Sequence, residues 1–146
     1  MLVEWVSRYA TGIPLIDEQH KELINLTNKL FEACLKGDQT AQTFKDTVRG
    51  VADYINYHFS AEEKMLEQIN YPELPEHKKQ HRLLAKQVLE NIRLFEEGRK
   101  FIPNSFVRTM KDWILTHIAV VDKQYVKYIM NLKKKGTLAK VPPGRQ

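Results

Sequence analysis

Four stretches of this chain repeat their apolar residues at steps of three and four, each closed by glycine, asparagine or proline. That period is the signature of an amphipathic helix packed on one face. The first stretch is expected to start near Asp17, a good N-cap residue, and to stop at Gly37, with His20, Leu23, Thr27, Leu30 or Phe31, and Cys34 inward. The second runs from about Thr40 to Ile69, with Phe44, Val48, Val51, Ile55, His58, Glu62 and Met65 on one line, and Asn70, Tyr71, Pro72 and Pro75 break it. The third covers Pro75 to Glu97 with His77, His81, Leu84, Val88 and Phe95 inward, and Gly98 closes it. The fourth opens at Pro103 to Ser105, with Phe106, Met110, Trp113 or Ile114, His117, Val121 and Tyr125 or Tyr128 on its stripe.

Strand-like alternation is absent and the connections are short, so the expected fold is all-α, an up-down-up-down antiparallel four-helix bundle. Residues 1–16, with Trp5, Ile13 and Pro14 but no sustained period, read as an extended arm over the bundle. The bundle itself is expected to occupy residues 1–130, including the arm.

The 146 residues form one domain with a net charge of +5. Five basic residues and no acid lie in 131–146 (Lys133, Lys134, Lys135, Lys140 and Arg145). Without them, the remaining 18 basic residues equal the 18 acids, so the basicity belongs to a tail expected to be solvated and flexible. No nucleic-acid partner is therefore expected. No apolar run approaches the ~20 residues a membrane span requires. Residues 1–10 lack signal-peptide order, which makes a cytoplasmic address the default. Cys34 is the single cysteine, so an internal disulfide and two-cysteine metal motifs are excluded.

All five histidines fall on the apolar stripes. One buried histidine is usually a hydrogen-bonded core residue, but five rings without a shared partner would leave many polar nitrogens unsatisfied. A metal that accepts their lone pairs removes that difficulty. His58 and Glu62 are four apart, as are His77 and His81, which sets each pair on one helix face with Cβ atoms ~5–6 Å apart. His117 and Asp122 are five apart, about 140° around an ideal helix. Asp122 is then either a plain surface acid or part of a locally loosened, π-type turn.

Counting donors sharpens the expectation. Five imidazoles and two bridging carboxylates, with one shared oxygen, fill all but one of the positions on two octahedral metals. The open position falls on the metal with fewer histidines, and an open site beside a redox-active ion suits a diatomic ligand. Nitrogen and oxygen donors without thiolate suit iron, although ligand type alone leaves manganese and zinc possible. The zinc-protease motif fails because Lys78, not glutamate, follows His77. The ferritin-type motif fails because no histidine has glutamate three residues before it.

With these segments in order, GIPLIDEQH ending at His20, HFSAE from His58 to Glu62, HKKQH from His77 to His81 and HIAVVD from His117 to Asp122, the chain resembles the hemerythrins, in particular single-domain bacterial ones. The resemblance covers most of the chain and uses every histidine. It implies two iron ions with an oxo or hydroxo bridge: His77, His81 and His117 on the filled iron, His20 and His58 on the iron with the vacancy, Glu62 and Asp122 across both. It also implies a dioxygen pocket lined by Phe59, Trp113 and Ile114, where many relatives carry leucine in place of Ile114. The function so implied is reversible dioxygen binding for storage, transport or delivery, not enzymatic, with a monomer as the default state. The alternatives are a di-iron oxygen or redox sensor, or an enzyme that removes peroxide or nitric oxide.

Overall fold

The computed structural model describes residues 1–135. Helix α1 spans Pro14–Lys36, α2 Gln42–Gln68, α3 Leu74–Glu96 and α4 Asn104–Thr116. A π-helical turn, His117–Val121, joins α4 without a break to α5, Asp122–Lys134. These last three pieces make one rod, so the molecule is an all-α four-helix bundle. Helix α1 packs against α2 and α4, and α3 also packs against α2 and α4, as the up-down-up-down order requires.

The helix ends follow the local chemistry of the sequence. At Gly98 (φ 76°) the backbone turns left-handed, the N–H of Gly98 bonds the Phe95 carbonyl, and that of Arg99 bonds the Leu94 carbonyl. Asn70 (φ 55°) closes α2 in the same way, with Asn70 donating to Glu67 and Tyr71 to Leu66. Both satisfy carbonyls that a helix end would otherwise strand. Helix α1 begins at Pro14, three residues before the expected start. Proline is suited to the first helical position because its missing N–H would have had no partner there. Asp17 is thus inside the first turn and not the cap. Its carboxylate reaches back to accept from the Thr11 N–H (2.7 Å), the Thr11 hydroxyl (2.8 Å) and the Gly12 N–H (3.2 Å).

The arm is accordingly residues 1–13, with a short 3-10 turn at Ser7–Tyr9. Asn28 on α1 clamps it at two points, accepting from the Val3 N–H (2.9 Å) and donating to the Val3 carbonyl (2.8 Å). Lys123 on α5 donates to the Ala10 carbonyl. At the other end, α5 continues past the expected boundary at residue 130 to Lys134, because Leu132 still packs against the core. Residues 136–146, the remainder of the basic tail expected to be solvated and flexible, lie outside the described residues. No helix among the described residues is long and apolar enough to cross a membrane.

The interior consists of two apolar clusters. The larger, including Leu30, Val48, Val51, Val88, Ile92, Val107 and Met110, fills the end of the bundle that holds the α1–α2 connection. The smaller, including Ile16, Met65, Leu66, Ile69, Tyr71, Tyr125 and Ile129, fills the opposite end. Along α1 the change from one cluster to the other falls between Ile16 and Leu23, and along α2 between Phe59 and Met65. Along the fourth rod it falls between Ile118 and Tyr125. Polar side chains occupy the layer between.

Candidate metal centre

His20, His58, Glu62, His77, His81, His117 and Asp122 are all buried in that layer, and none is more than 6% exposed. The helical periods place six of them without difficulty. Asp122 is the exception, and the π turn resolves it. The Asp122 N–H bonds the carbonyl of His117, five residues back, so the wider turn sets the two side chains on one face. Of the two readings open for Asp122, the π turn is the one observed.

The geometry has two lobes. Glu62 Oε1 lies 2.8 Å from His77 Nε2 and 3.0 Å from His81 Nε2, while Glu62 Oε2 lies 3.8 Å from His20 Nε2 and 3.6 Å from His58 Nε2. Asp122 does the same: Oδ1 is 3.3 Å from His77 Nε2 and 3.0 Å from His117 Nε2, and Oδ2 is 3.2 Å from His20 Nε2. Glu62, His77, His81, His117 and Asp122 therefore form one set able to hold an ion, and His20, His58, Glu62 and Asp122 a second. Each carboxylate turns one oxygen toward each set.

Burial is severe here, and the ionisation states respond to it. Burial opposes the charged form of His20, His77 and His117. The neighbouring Asp122 and Glu62 outweigh it, and hold the first two up at about 9 and the third at about 10. Burial raises the carboxylates too, yet the imidazoles around them win and hold both Glu62 and Asp122 below the usual carboxylate range. His58, where burial dominates, is pushed down to about 3.

Protein hydrogen bonds alone leave this layer unsatisfied. His117 Nε2 and both Asp122 oxygens are buried without a hydrogen-bond partner among the described residues; the 3.0 Å contact between them is close but not aligned as a hydrogen bond. Buried polar atoms are normally paired, and an exception calls for an explanation such as an ion. His117 Nε2 and Asp122 Oδ1 lie in one set and Asp122 Oδ2 turns to the other, donors that fit metal of the kind nitrogen and oxygen ligands favour.

A second ring of contacts orients the first. The outer nitrogen of His58, Nδ1, donates to Gln19 Oε1 at 2.7 Å, and His81 Nδ1 donates to Glu63 Oε2 at 2.6 Å. Both bonds leave Nε2 with its lone pair facing the centre. The Tyr125 hydroxyl donates to Glu62 Oε2 at 2.9 Å. Gln19 and Glu63 escaped the sequence reading; the available signal was that each adjoins a ligand candidate, His20 and Glu62.

Of the residues expected to line a gas pocket, Phe59 and Ile114 border a small cavity beside the centre. The other lining residues are Leu23, Ile55, Leu84, Ile118 and the rings of His58 and His117. Phe59 also lies flat on His81, with centroids 3.9 Å apart and 7° between planes. Trp113 does not border this cavity; it meets Phe106 edge-on at 6.3 Å.

The profile of the hemerythrin HHE cation binding domain matches residues 11–129. This chain belongs to the hemerythrin family. Among curated relatives, it is 30% identical to the bacteriohemerythrin of Stenotrophomonas maltophilia, over 88% of this chain and 82% of that protein. It is 26% identical to that of Methylococcus capsulatus, over 85% and 94%. A wild-type hemerythrin crystal structure superposes with a TM-score of 0.81 at 26% identity, covering 87% of this chain and 97% of that one. The domain thus carries a buried histidine and carboxylate cluster suited to non-haem iron.

Proposed function

We propose that this hemerythrin domain holds two iron ions and binds dioxygen reversibly at one of them. The observation that carries the reading is the sharing of Glu62 and Asp122 between the two donor sets, one oxygen of each carboxylate to each set. Were two ions held, Glu62 and Asp122 would each offer one oxygen to each of them. His77, His81 and His117 would serve one iron, His20 and His58 the other. The second has fewer protein donors, which leaves room for an exogenous ligand.

An iron pair held by these residues would, when reduced, supply the electrons that dioxygen takes up on binding. The chain's own residues determine where and how safely that happens. The cavity between Phe59, Ile114, Leu23 and Ile118 is bordered by His58 of the two-histidine set and by His117 of the three-histidine set. An apolar wall there admits a neutral gas and disfavours water and anions, whose burial would go uncompensated. Tyr125 holds Glu62 in its bridging orientation, and the hydrogen bonds from His58 and His81 hold each ring with its coordinating nitrogen inward.

The test is metal analysis followed by gas exchange. About two irons per chain are expected, lost on replacing His77 or Glu62 with alanine. Anaerobic ferrous protein should colour on exposure to air and lose the colour under vacuum. Irreversible bleaching at first exposure, or catalytic consumption of peroxide or nitric oxide in its place, would replace this reading with an enzymatic one.

A further inference from the structure

The two outer hydrogen bonds of the centre are alike in length and unlike in charge. His58, in the two-histidine set, donates its Nδ1–H to the neutral amide oxygen of Gln19 at 2.7 Å. His81, in the three-histidine set, donates to the carboxylate of Glu63 at 2.6 Å. The surroundings differ as well: Gln19 is buried at 2% exposure, and its amide nitrogen has no partner among the described residues. The Glu63 side chain is 27% exposed, where a charge is affordable. A glutamate at 19 would carry its charge into a dry layer already holding Glu62 and Asp122. The amide keeps the acceptor without the charge, and the amide nitrogen is left unpaired as a result.

A carboxylate behind a coordinating imidazole raises its basicity, and negative charge close to a metal favours the metal's higher oxidation state. A neutral amide at the same distance orients the ring with little of either effect. We infer that Glu63 and Gln19 act as an unequal pair of tuning residues: Glu63 stabilises the oxidised state at the three-histidine position, and Gln19 leaves the two-histidine position easier to keep reduced. The inference rests on the two-iron reading above. It concerns positioning and potential, since neither residue faces the ligand-binding cavity.

The experiment uses the iron-loaded full chain, wild type, Glu63→Gln, Gln19→Glu and the double variant, with iron counted before anaerobic redox titration followed by visible absorbance. A wild-type content well short of two irons refutes the two-iron reading and this inference with it. With two irons held, Glu63→Gln is expected to move the midpoint potential upward, Gln19→Glu downward, and the double variant back toward wild type. Glutamine at 63 keeps an acceptor of the same shape, so a purely orienting role predicts no shift in Glu63→Gln. That result, or single-variant shifts of the same sign, overturns the inference. Should Gln19→Glu not fold, the sign of the Glu63→Gln shift decides alone.

Discussion

Asp122 Oδ1 stands 3.0 Å from His117 Nε2 although five residues separate them, and one π-helical turn makes the approach possible. In an ordinary helix the residue sharing a face with His117 would be Val121, at the i+4 position. Exchanging the two, with Val121→Asp and Asp122→Val together, keeps composition and gives the conventional spacing. The π turn points that new carboxylate away from the layer, so the iron content per chain is expected to fall below two while the fold persists. Full iron content in the exchanged protein would mean that the turn does not set the phase of this site.

Protons and metal compete for the same imidazoles. In the metal-free protein His20 and His77 titrate at about 9 and His117 at about 10, all above the ordinary value of 6.5. Their folded pKa is raised, so the stability they contribute is fully present below about 6.5 and lost as pH rises through 9 to 10. Metal-free protein should therefore melt at a lower temperature at pH 10 than at pH 7. Iron-loaded protein, whose rings are already deprotonated by coordination, should show a smaller drop. Equal drops in the two forms would contradict this.

Tyr125 is fully buried, and its hydroxyl pKa is held well above the ordinary value, first by burial and then by Glu62. It stays a hydrogen-bond donor across the working pH range. Tyr125→Phe removes a hydrogen bond to a charged acceptor, expected to cost about 1.5–3 kcal/mol in the unfolding free energy of the metal-free form. Metal affinity should also weaken roughly 10–100-fold, the usual effect of losing an outer partner. Denaturant titration and chelator competition measure the two losses separately.

Ile114 is 5% exposed and borders the cavity next to His58 and His117. Ile114→Ala should destabilise the protein by about 2–5 kcal/mol through the space it leaves. The enlarged cavity should also admit water, so the oxygenated protein is expected to lose its colour to irreversible oxidation faster than wild type. Absorbance followed over time in air-equilibrated buffer reads the rate; an unchanged rate would remove Ile114 from the gas pocket.

Cys34 lies on the α1 stripe whose period points inward. The thiol is half-buried, lies 3.5 Å from the Ile102 carbonyl and is pushed up by burial to about 11. A thiol so protonated is a poor nucleophile and a poor metal ligand, in keeping with a small packing residue.

The amino-acid sequence by itself determined the bundle and, by helical period, six of the seven candidate ligands in its central layer. Steps of three and four residues specify which side chains share a face, and His20, His58, Glu62, His77, His81 and His117 all obey that period. Asp122 did not, since local hydrogen bonding alone would turn it about 140° from His117. The π turn that brings Asp122 round beside His117 belongs to the folded rod, and the apolar steps along the chain, which fit an ordinary helix, do not announce it. The contacts of Gln19 and Glu63 were likewise settled by tertiary structure. Each reaches a histidine on a different helix, and the relative rotation of two packed helices is set by the whole core, not by the residues adjoining a motif.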